Sequence, residues 1–217
     1  MTTSADQLRR RLSDSNLYLV TPARPSAGDL NHFLPAVLEA GVDMVQIREK
    51  HLEAGQLMPF LAIAKRHTDD FGALLIVNDR VDVAIAASAD GVHLGQDDLA
   101  PAHARDQMGA GALIGLSTHA RSEVQSASSE PVDYIAVGPI HETPTKPGRA
   151  GTGLGLIEVA KESSSVPFFA IGGIDLETVG DVVKAGATRI VVVRALTEAD
   201  DPPSVARRLK AALWGAA

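Results

Sequence analysis

A short segment near the start of the chain, residues 41–50, joins an apolar run to two cations. In the sequence Gly-Val-Asp-Met-Val-Gln-Ile-Arg-Glu-Lys, the residues Gln46, Arg48 and Lys50 alternate at the end of the run. Alternate residues of a strand share one face, so we expect these three side chains to point to one side. An amide and two cations suit an anionic ligand such as a phosphate or a diphosphate. The alternative is an ion-paired strand end, with Glu49 as the local partner.

Two carboxylates follow later apolar segments. Asp79 comes after residues 73–77, and Asp98 comes after residues 91–94. If these segments are neighbouring parallel strands, both carboxylates can face one point, and two carboxylates beside a bound diphosphate suit Mg²⁺. Asp79 also precedes a predicted helix that begins near Arg80, so the alternative is that it caps this helix.

Polar residues follow or end most of the other apolar segments. Asp97 is a weaker metal candidate that could instead cap a turn. His93 lies within an apolar segment, where a histidine is typically a hydrogen-bonding residue of the core or rim rather than a catalyst. Further polar residues in these positions are Asn78, Gln96, Ser117, Thr118, His119 and Arg194.

The longest predicted loop, residues 138–155, combines hydroxyl groups, a cation and stiffening prolines. It contains Thr143, Pro144, Thr145 and Lys146, and glycines flank it. Long loops of this kind often act as lids over a site, and the alternative is a mobile surface loop. Gly172 and Gly173 follow a later apolar segment. Glycine lets a ligand approach backbone N–H groups closely, although a tight turn would also require it.

Eight apolar segments alternate with alanine-rich helical segments from residue 16 onward. The predicted strands are 17–20, 43–47, 73–77, 91–94, 113–116, 133–137, 167–171 and 189–193. The predicted helices are 28–40, 54–70, 80–87, 100–107, 120–128, 153–163, 175–184 and 202–213. Continuous apolar strands that alternate with helices indicate a parallel sheet covered on both faces. Eight units favour the α/β class with a single compact (β/α)8 TIM barrel over an open doubly wound sheet, and its active site would lie at the C-terminal ends of the strands.

We expect one catalytic domain, because no linker rich in proline, glycine or serine divides the chain. Residues 14–217 are predicted to form the barrel. Residues 1–13 are predicted to form an N-terminal leader or a short helix, and Arg9, Arg10 and Arg11 are most simply a solvated face.

Composition excludes several kinds of partner and chemistry. The chain has 217 residues and a net charge of −7, which disfavours nucleic acid as a partner. It has no cysteine, which excludes disulfides, thiolate catalysis and a cysteine-based zinc site. No apolar stretch is long enough to predict a membrane span. We expect a cytoplasmic protein that binds small phosphorylated molecules, and the sequence leaves open whether it forms a homo-oligomer.

Seven motifs in register resemble those of the thiamine-phosphate synthase family. They extend from residue 17 to about residue 195, and together they are far more specific than any one of them. The motifs are Gln46-x-Arg48-Glu49-Lys50, Asn78-Asp79, residues 91–98 (GVHLGQDD), Gly115-x-Ser117-Thr118-His119, Asp133-Tyr134-x-x-x-Gly138-Pro139, Thr143-x-Thr145-Lys146 and residues 170–174 (AIGGI).

The resemblance implies a transferase on a (β/α)8 barrel. It would join 4-amino-2-methyl-5-pyrimidinylmethyl diphosphate to 4-methyl-5-(2-phosphoethyl)thiazole, giving thiamine phosphate and pyrophosphate. By resemblance, the pyrimidine diphosphate would be held by Gln46, Arg48, Lys50, Asn78, Ser117 and Lys146. The thiazole phosphate would be held by Thr143, Pro144, Thr145, Gly172, Gly173, Val193 and Arg194. Asp79 and Asp98 would hold Mg²⁺.

The implied chemistry is dissociative and agrees with these residue types. Breaking the C–O bond builds negative charge on the leaving diphosphate, which Arg48, Lys50, Lys146 and Mg²⁺ would stabilise. Ser117 would contact the pyrimidine, and no protein nucleophile is needed. Arg194 departs from the small residue that family members often carry there, and it would contact the thiazole phosphate or pair with a carboxylate.

Two other functions are compatible with the same barrel. A thiazole tautomerase-like isomerase would need the thiazole phosphate site but not the carboxylate pair or the diphosphate-binding cations. A non-catalytic sensor of a phosphorylated ligand would bind without turnover. The joint presence of Arg48, Lys50, Asp79, Asp98 and Lys146 favours the synthase over both.

Overall fold

The computed structural model describes residues 4–143 and 150–214 as a closed barrel of eight parallel strands. Each strand pairs with its neighbours in chain order, and the last strand pairs with the first. This confirms the predicted (β/α)8 barrel and excludes the open doubly wound sheet. The strands are β1 (Leu17–Thr21), β2 (Met44–Ile47), β3 (Leu74–Asn78), β4 (Gly91–Leu94), β5 (Leu113–Thr118), β6 (Tyr134–Val137), β7 (Phe168–Ile171) and β8 (Ile190–Val192).

Helices follow the strands around the outside of the barrel. They are α1 (Ser4–Asp14), α2 (Leu30–Glu39), α3 (Ala54–Asp70), α4 (Val81–Ala86), α5 (Pro101–Met108), α6 (Arg121–Ser126), α7 (Gly155–Ser163), α8 (Val179–Lys184), α9 (Arg194–Thr197) and α10 (Pro202–Trp214). A 3₁₀ turn at Ala127–Ser129 extends α6. The short helix α9 was not predicted, because four residues are too few to show helical periodicity. Helix α8 begins four residues later than predicted, because Asp175 accepts the backbone N–H groups of Glu177 and Thr178 in a turn.

Two apolar layers hold these elements in place. The outer layer packs the helices against the strands, and residues such as Leu34, Leu61 and Ile157 are completely buried in it. The inner layer fills the barrel, where the rings of Tyr18, Tyr134 and Phe169 meet edge to face with centroids 5.6–6.0 Å apart. The barrel is therefore a packed core, and ligand space is confined to its ends.

Helix α1 closes the N-terminal end of the barrel. Leu12 is 2% exposed and packs into the inner layer. Arg9 donates to the carboxylate of Asp133 at 2.9 Å, and Arg11 donates to the backbone carbonyls of Gly72 and Ala73. The interpretation of these two arginines as a solvated face was therefore wrong. They fix the helix to the loops that precede the strands, and charge at the start of the chain gave no sign of those distant partners.

Aspartates organise the same end of the barrel. Asp43, Asp90 and Asp133 each stand just before an even-numbered strand and accept a backbone N–H from the strand before it. The donors are Leu17 at 2.9 Å, Leu75 at 2.8 Å and Ile114 at 2.8 Å. Carboxylates here satisfy strand-end donors that would otherwise be buried without a partner.

In the described part of the chain, no helix is both long and apolar enough to cross a lipid bilayer.

Candidate active site

Two cavities open at the C-terminal ends of the strands. We call the first the charged cavity; it has a volume of about 330 Å³ and is lined by Gln46, Arg48, Lys50, Asn78, Asp79, His93, Asp98 and Ser117, among others. We call the second the glycine cavity; it has a volume of about 340 Å³ and is lined by Thr143, Gly172, Gly173, Val193 and Arg194, among others. They share the lining residues Ser117, His119, Ile171, Val191 and Val193. Ligands in the two cavities would therefore meet beside these shared residues, which we call the common wall.

The cations of the charged cavity come from the end of β2. Lys50 lies 3.9 Å from the carboxylate of Asp79. Within residues 4–143 and 150–214, the guanidinium of Arg48 makes no hydrogen bond or ion pair with another side chain or carbonyl. Glu49 instead accepts the backbone N–H of His51, so it is not the partner that the alternative interpretation assigned to it. A half-buried guanidinium with no partner among the described residues is a suitable donor for a bound anion.

The carboxylates come from the ends of β3 and β4. Asp79 has a φ of 60°, a left-handed conformation that is uncommon outside glycine and is retained only where the surroundings impose it. Burial raises its pKa to about 6, and a hydrogen bond and like charge from Asp98 add to the effect, whereas Lys50 lowers it. The side chain of Asp98 also accepts the backbone N–H of Gly95 at 2.7 Å. Helix α4 has Arg80 as its N-cap, so Asp79 does not cap it.

A chain of hydrogen bonds crosses the barrel interior beneath the charged cavity. Gln46 donates from Nε2 to the hydroxyl of Tyr18 at 2.6 Å, and the hydroxyls of Tyr18 and Tyr134 lie 3.0 Å apart. Nδ1 of His93 lies 3.2 Å from the Tyr134 hydroxyl, and Nε2 lies 2.9 Å from Oγ of Ser117. We call these five residues the buried relay. The prediction that His93 is a hydrogen-bonding residue of the core or rim is confirmed, since both ring nitrogens lie within hydrogen-bonding distance of a hydroxyl.

Sequence reasoning missed the two tyrosines of the relay. Both lie at inward-facing positions of predicted strands, and a buried tyrosine hydroxyl requires a partner. That rule was the available signal. Sequence reasoning also gave no role to His119. Nδ1 of this residue lies 2.5 Å from the carbonyl of Gly138, and the residue lines both cavities. Ser117 and Thr118 lie within β5 rather than after it.

The glycine cavity is shaped by close packing of two loops. Gly172 has a φ of 104°, and a Cβ at this position would lie 2.5 Å from Cα of Pro139. Gly173 has a φ of 62°, and a Cβ there would lie 2.7 Å from Cβ of His141. The positive φ values and the close approach of the loops therefore require glycine at both positions. Arg194 is exposed on α9 and lies 3.8 Å from the carboxylate of Glu198.

Part of the predicted site lies outside the described residues. Pro144, Thr145 and Lys146 fall in the range 144–149, which interrupts the predicted lid. The structure places Thr143 at the edge of the glycine cavity, and the chain is described again from Ala150. The roles assigned to these three residues stay predictions.

Known proteins resemble this chain over nearly its full length. The sequence profile of the family described as thiamine monophosphate synthase matches residues 17–196. A thiamine-phosphate synthase of Mycobacterium sp. (strain KMS) is 50% identical, with 96% of each chain aligned. A thiamine-phosphate synthase of Acidothermus cellulolyticus is 49% identical over 97% of this chain and 100% of that protein.

Solved structures agree with the sequence relatives. Thiamine phosphate pyrophosphorylase from Pyrococcus furiosus superimposes with a TM-score of 0.85 at 28% identity, over 96% of this chain and 98% of the other. A 3-hexulose-6-phosphate synthase superimposes with a TM-score of 0.63 at 19% identity, which shows only a shared fold. With two facing substrate-sized cavities, a near-complete profile match and relatives at about half identity, the chain belongs to the thiamine monophosphate synthase family of transferases.

Proposed function

We propose that this protein joins 4-amino-2-methyl-5-pyrimidinylmethyl diphosphate to 4-methyl-5-(2-phosphoethyl)thiazole, releasing pyrophosphate and forming thiamine phosphate. The observation that carries the proposal is the pair of cavities with a common wall. A condensation needs two ligands held with their reacting atoms face to face, and each cavity offers a different set of groups. Holding both substrates in this way replaces a bimolecular encounter by a reaction within one complex.

The pyrimidine diphosphate belongs in the charged cavity. Arg48 and Lys50 bind its diphosphate and stabilise the negative charge that grows as the C–O bond breaks. Asn78 and Gln46 line the same wall, and Ser117 stands between this ligand and the second cavity. Lys146, predicted to add a third cation, is part of the proposal by resemblance alone. The electron-rich aminopyrimidine carries the resulting positive charge, so the protein needs no nucleophile.

The thiazole phosphate belongs in the glycine cavity. Its lining is mainly apolar side chains and backbone, with Gly172 and Gly173 exposing the peptide groups that follow β7. Backbone N–H groups at such a turn bind phosphate without a cation, and loops after the seventh and eighth strands are frequent phosphate sites in this fold. Val193 and Arg194 close the other side. The thiazole nitrogen then reaches the pyrimidine carbon where the two cavities adjoin.

Asp79 and Asp98 fit a single Mg²⁺. The Asp98 carboxylate helps to raise the pKa of Asp79, and a divalent cation bound between the two would relieve their repulsion. Among the described residues no group of three or more acidic or histidine side chains could hold a metal ion. That agrees with Mg²⁺, which takes one or two carboxylates and completes its shell with water and substrate phosphate oxygens. When bound, Mg²⁺ would neutralise charge on the leaving diphosphate.

The charged cavity also separates the proposal from its rivals. A tautomerase acting on the thiazole alone would have no use for a carboxylate pair in a second cavity, or for a guanidinium there that is unpaired among the described residues. The absence of cysteine from the sequence fits a reducing compartment, and we include the cytoplasm in the proposal.

The test is turnover of the two synthetic substrates by the purified protein, followed by mass spectrometry of thiamine phosphate. We expect product with Mg²⁺ and none after chelation, with recovery when Mg²⁺ is restored. Formation of an isomerised thiazole without condensation would support the tautomerase. Saturable binding of either substrate without any product would support the sensor.

A further inference from the structure

The buried relay connects two residues that line the charged cavity. One of the residues between them does not reach the cavity at all. Gln46 and Ser117 form its ends, and Tyr18, Tyr134 and His93 lie between them. Tyr134 is completely buried and is absent from the lining of both cavities. Its hydroxyl nevertheless contacts both Tyr18 and His93. An effect of Tyr134 on catalysis would therefore be transmitted through its neighbours.

Counting protons along the relay gives it a direction. Burial raises the pKa of both tyrosines, so each keeps its single hydroxyl proton. Because Gln46 donates to Tyr18, the Tyr18 proton is available to Tyr134, and the Tyr134 proton is available to Nδ1 of His93. A neutral His93 then carries its proton on Nε2 and donates it to Oγ of Ser117. In this arrangement the hydroxyl protons of both tyrosines and the Nε2 proton of His93 each have an acceptor.

The opposite histidine tautomer does not satisfy the same groups. With a proton on Nδ1 of His93, two tyrosine protons would compete for the single contact between the two hydroxyls. One would stay unpaired in the packed barrel interior, which carries the desolvation cost of an orphaned donor. Only a reversed Gln46 amide, with its carbonyl oxygen toward Tyr18, would allow every bond to run the other way. The polarity at one end of the relay therefore sets the polarity at the other.

We infer that the relay makes Ser117 a hydrogen-bond donor toward the substrate and leaves the carbonyl oxygen of Gln46 as an acceptor, with Tyr18, Tyr134 and His93 as positioning residues. Ser117 accepts from His93, so its own hydroxyl proton is left to donate at the cavity. The Ser117 hydroxyl as donor and the Gln46 carbonyl oxygen as acceptor complement a ligand that offers a ring nitrogen or phosphate oxygen and an amino group. This inference rests on the proposed function, because an aminopyrimidine diphosphate carries all three.

The tautomer of His93 is directly measurable in the enzyme without substrate. Protein labelled with ¹⁵N in the histidine rings is examined by long-range ¹H–¹⁵N correlation spectroscopy, and the His93 signals are assigned as those lost in His93→Gln. We expect the proton on Nε2 and an unprotonated Nδ1 that accepts a hydrogen bond from Tyr134. A proton on Nδ1, or a doubly protonated ring at neutral pH, would overturn the inference.

Kinetic coupling tests whether the relay acts through Ser117. We expect Tyr134→Phe, which removes only the hydroxyl, to lower kcat/KM for the pyrimidine diphosphate about tenfold, the scale of one oriented hydrogen bond. In a Ser117→Ala background, the same change should cost less than about twofold. Equal effects in both backgrounds would mean that Tyr134 does not act through Ser117, and the inference would fail.

Two further variants separate positioning from loss of structure. Thr118→Val removes a neighbouring buried hydroxyl that bonds the carbonyl of Ala136 at 3.2 Å outside the relay, and it should keep the wild-type kcat/KM. His93→Gln retains a donor for Ser117 and should keep more activity than His93→Asn. Should Tyr134→Phe fold poorly, Tyr18→Phe tests the same relay one bond away, with the same expected loss. If the wild type forms no thiamine phosphate, the proposed function fails, while the tautomer measurement still decides the polarity of the relay.

Discussion

Replacing Asp98 with asparagine removes one of the two carboxylates that face each other at the rim of the charged cavity. Asparagine is the appropriate substitution because its side-chain oxygen can still accept the backbone N–H of Gly95, which Asp98 accepts at 2.7 Å. The change therefore removes the charge while keeping the loop contact. We expect a protein that is more stable without metal and has lost Mg²⁺-dependent turnover.

The magnitude follows from Asp79. Its pKa is raised from an ordinary 3.8 to about 6, so between these pH values the folded state holds a proton that the unfolded chain has released. The raised pKa therefore lowers the free energy of unfolding. This loss of stability is absent below pH 3.8, grows between pH 3.8 and about 6, and is constant above that range. Converted to free energy, the whole pKa shift of Asp79 corresponds to about 3 kcal/mol. This is an upper bound, because the Asp79 side chain is 28% exposed and water screens its charge. Burial is the largest cause, so removing the Asp98 charge should recover about 1 kcal/mol.

The assay is urea unfolding in metal-free buffer over a series of pH values. Asp98→Asn should raise the free energy of unfolding near pH 7.5, and the gain should shrink as the pH falls toward the ordinary pKa of Asp79. Asp97→Asn is the matched control, since Asp97 is exposed and adjacent, and it should change stability by less than about 0.5 kcal/mol. A gain that is equal at every pH, or no gain beyond that of the control, would refute the reasoning.

Three further changes test the site and the fold. Arg48→Met keeps the aliphatic stem and should lower kcat/KM for the pyrimidine diphosphate about 100-fold, since it removes charge-assisted hydrogen bonds to the leaving group; a tenfold rise in KM alone would argue for uniform binding instead. Lys146→Ala should slow single-turnover product formation, and a wild-type rate would remove Lys146 from the site. Asp133→Ala should lower the free energy of unfolding by about 3 kcal/mol, because the Asp133 side chain is only 7% exposed, pairs with Arg9 and Arg105, and accepts the N–H of Ile114. A loss below about 1 kcal/mol in a denaturant titration would contradict this role.

The strands could be predicted from the sequence because their burial is complete on both faces. A parallel barrel strand covered by helices must be apolar throughout, so residues 74–77 and 190–192 are recognisable without knowledge of their neighbours. Strand ends were less exact. Ser117 and Thr118 continue β5 although they are polar, because their positions at the rim let the strand extend past the apolar run.

The candidate site was predictable as a set of residues but not as a set of contacts. Gln46, Arg48, Asp79 and Asp98 were identified by their positions at strand ends, which a closed barrel brings to one rim. Their partners were not predictable, because Tyr134 meets Tyr18 across 116 positions of the chain. Local periodicity carries no information about such pairs.

The sequence by itself determined the class of fold, the rim on which the polar residues lie, and the chemistry those residue types can perform, because each depends on a local pattern. Only the tertiary structure decided that two cavities share lining residues, that Arg48 has no carboxylate partner among the described residues, and that hydrogen bonds connect Tyr134 through His93 to Ser117. These features depend on distances between separate strands, which arise only when the barrel closes and every element competes for the same interior.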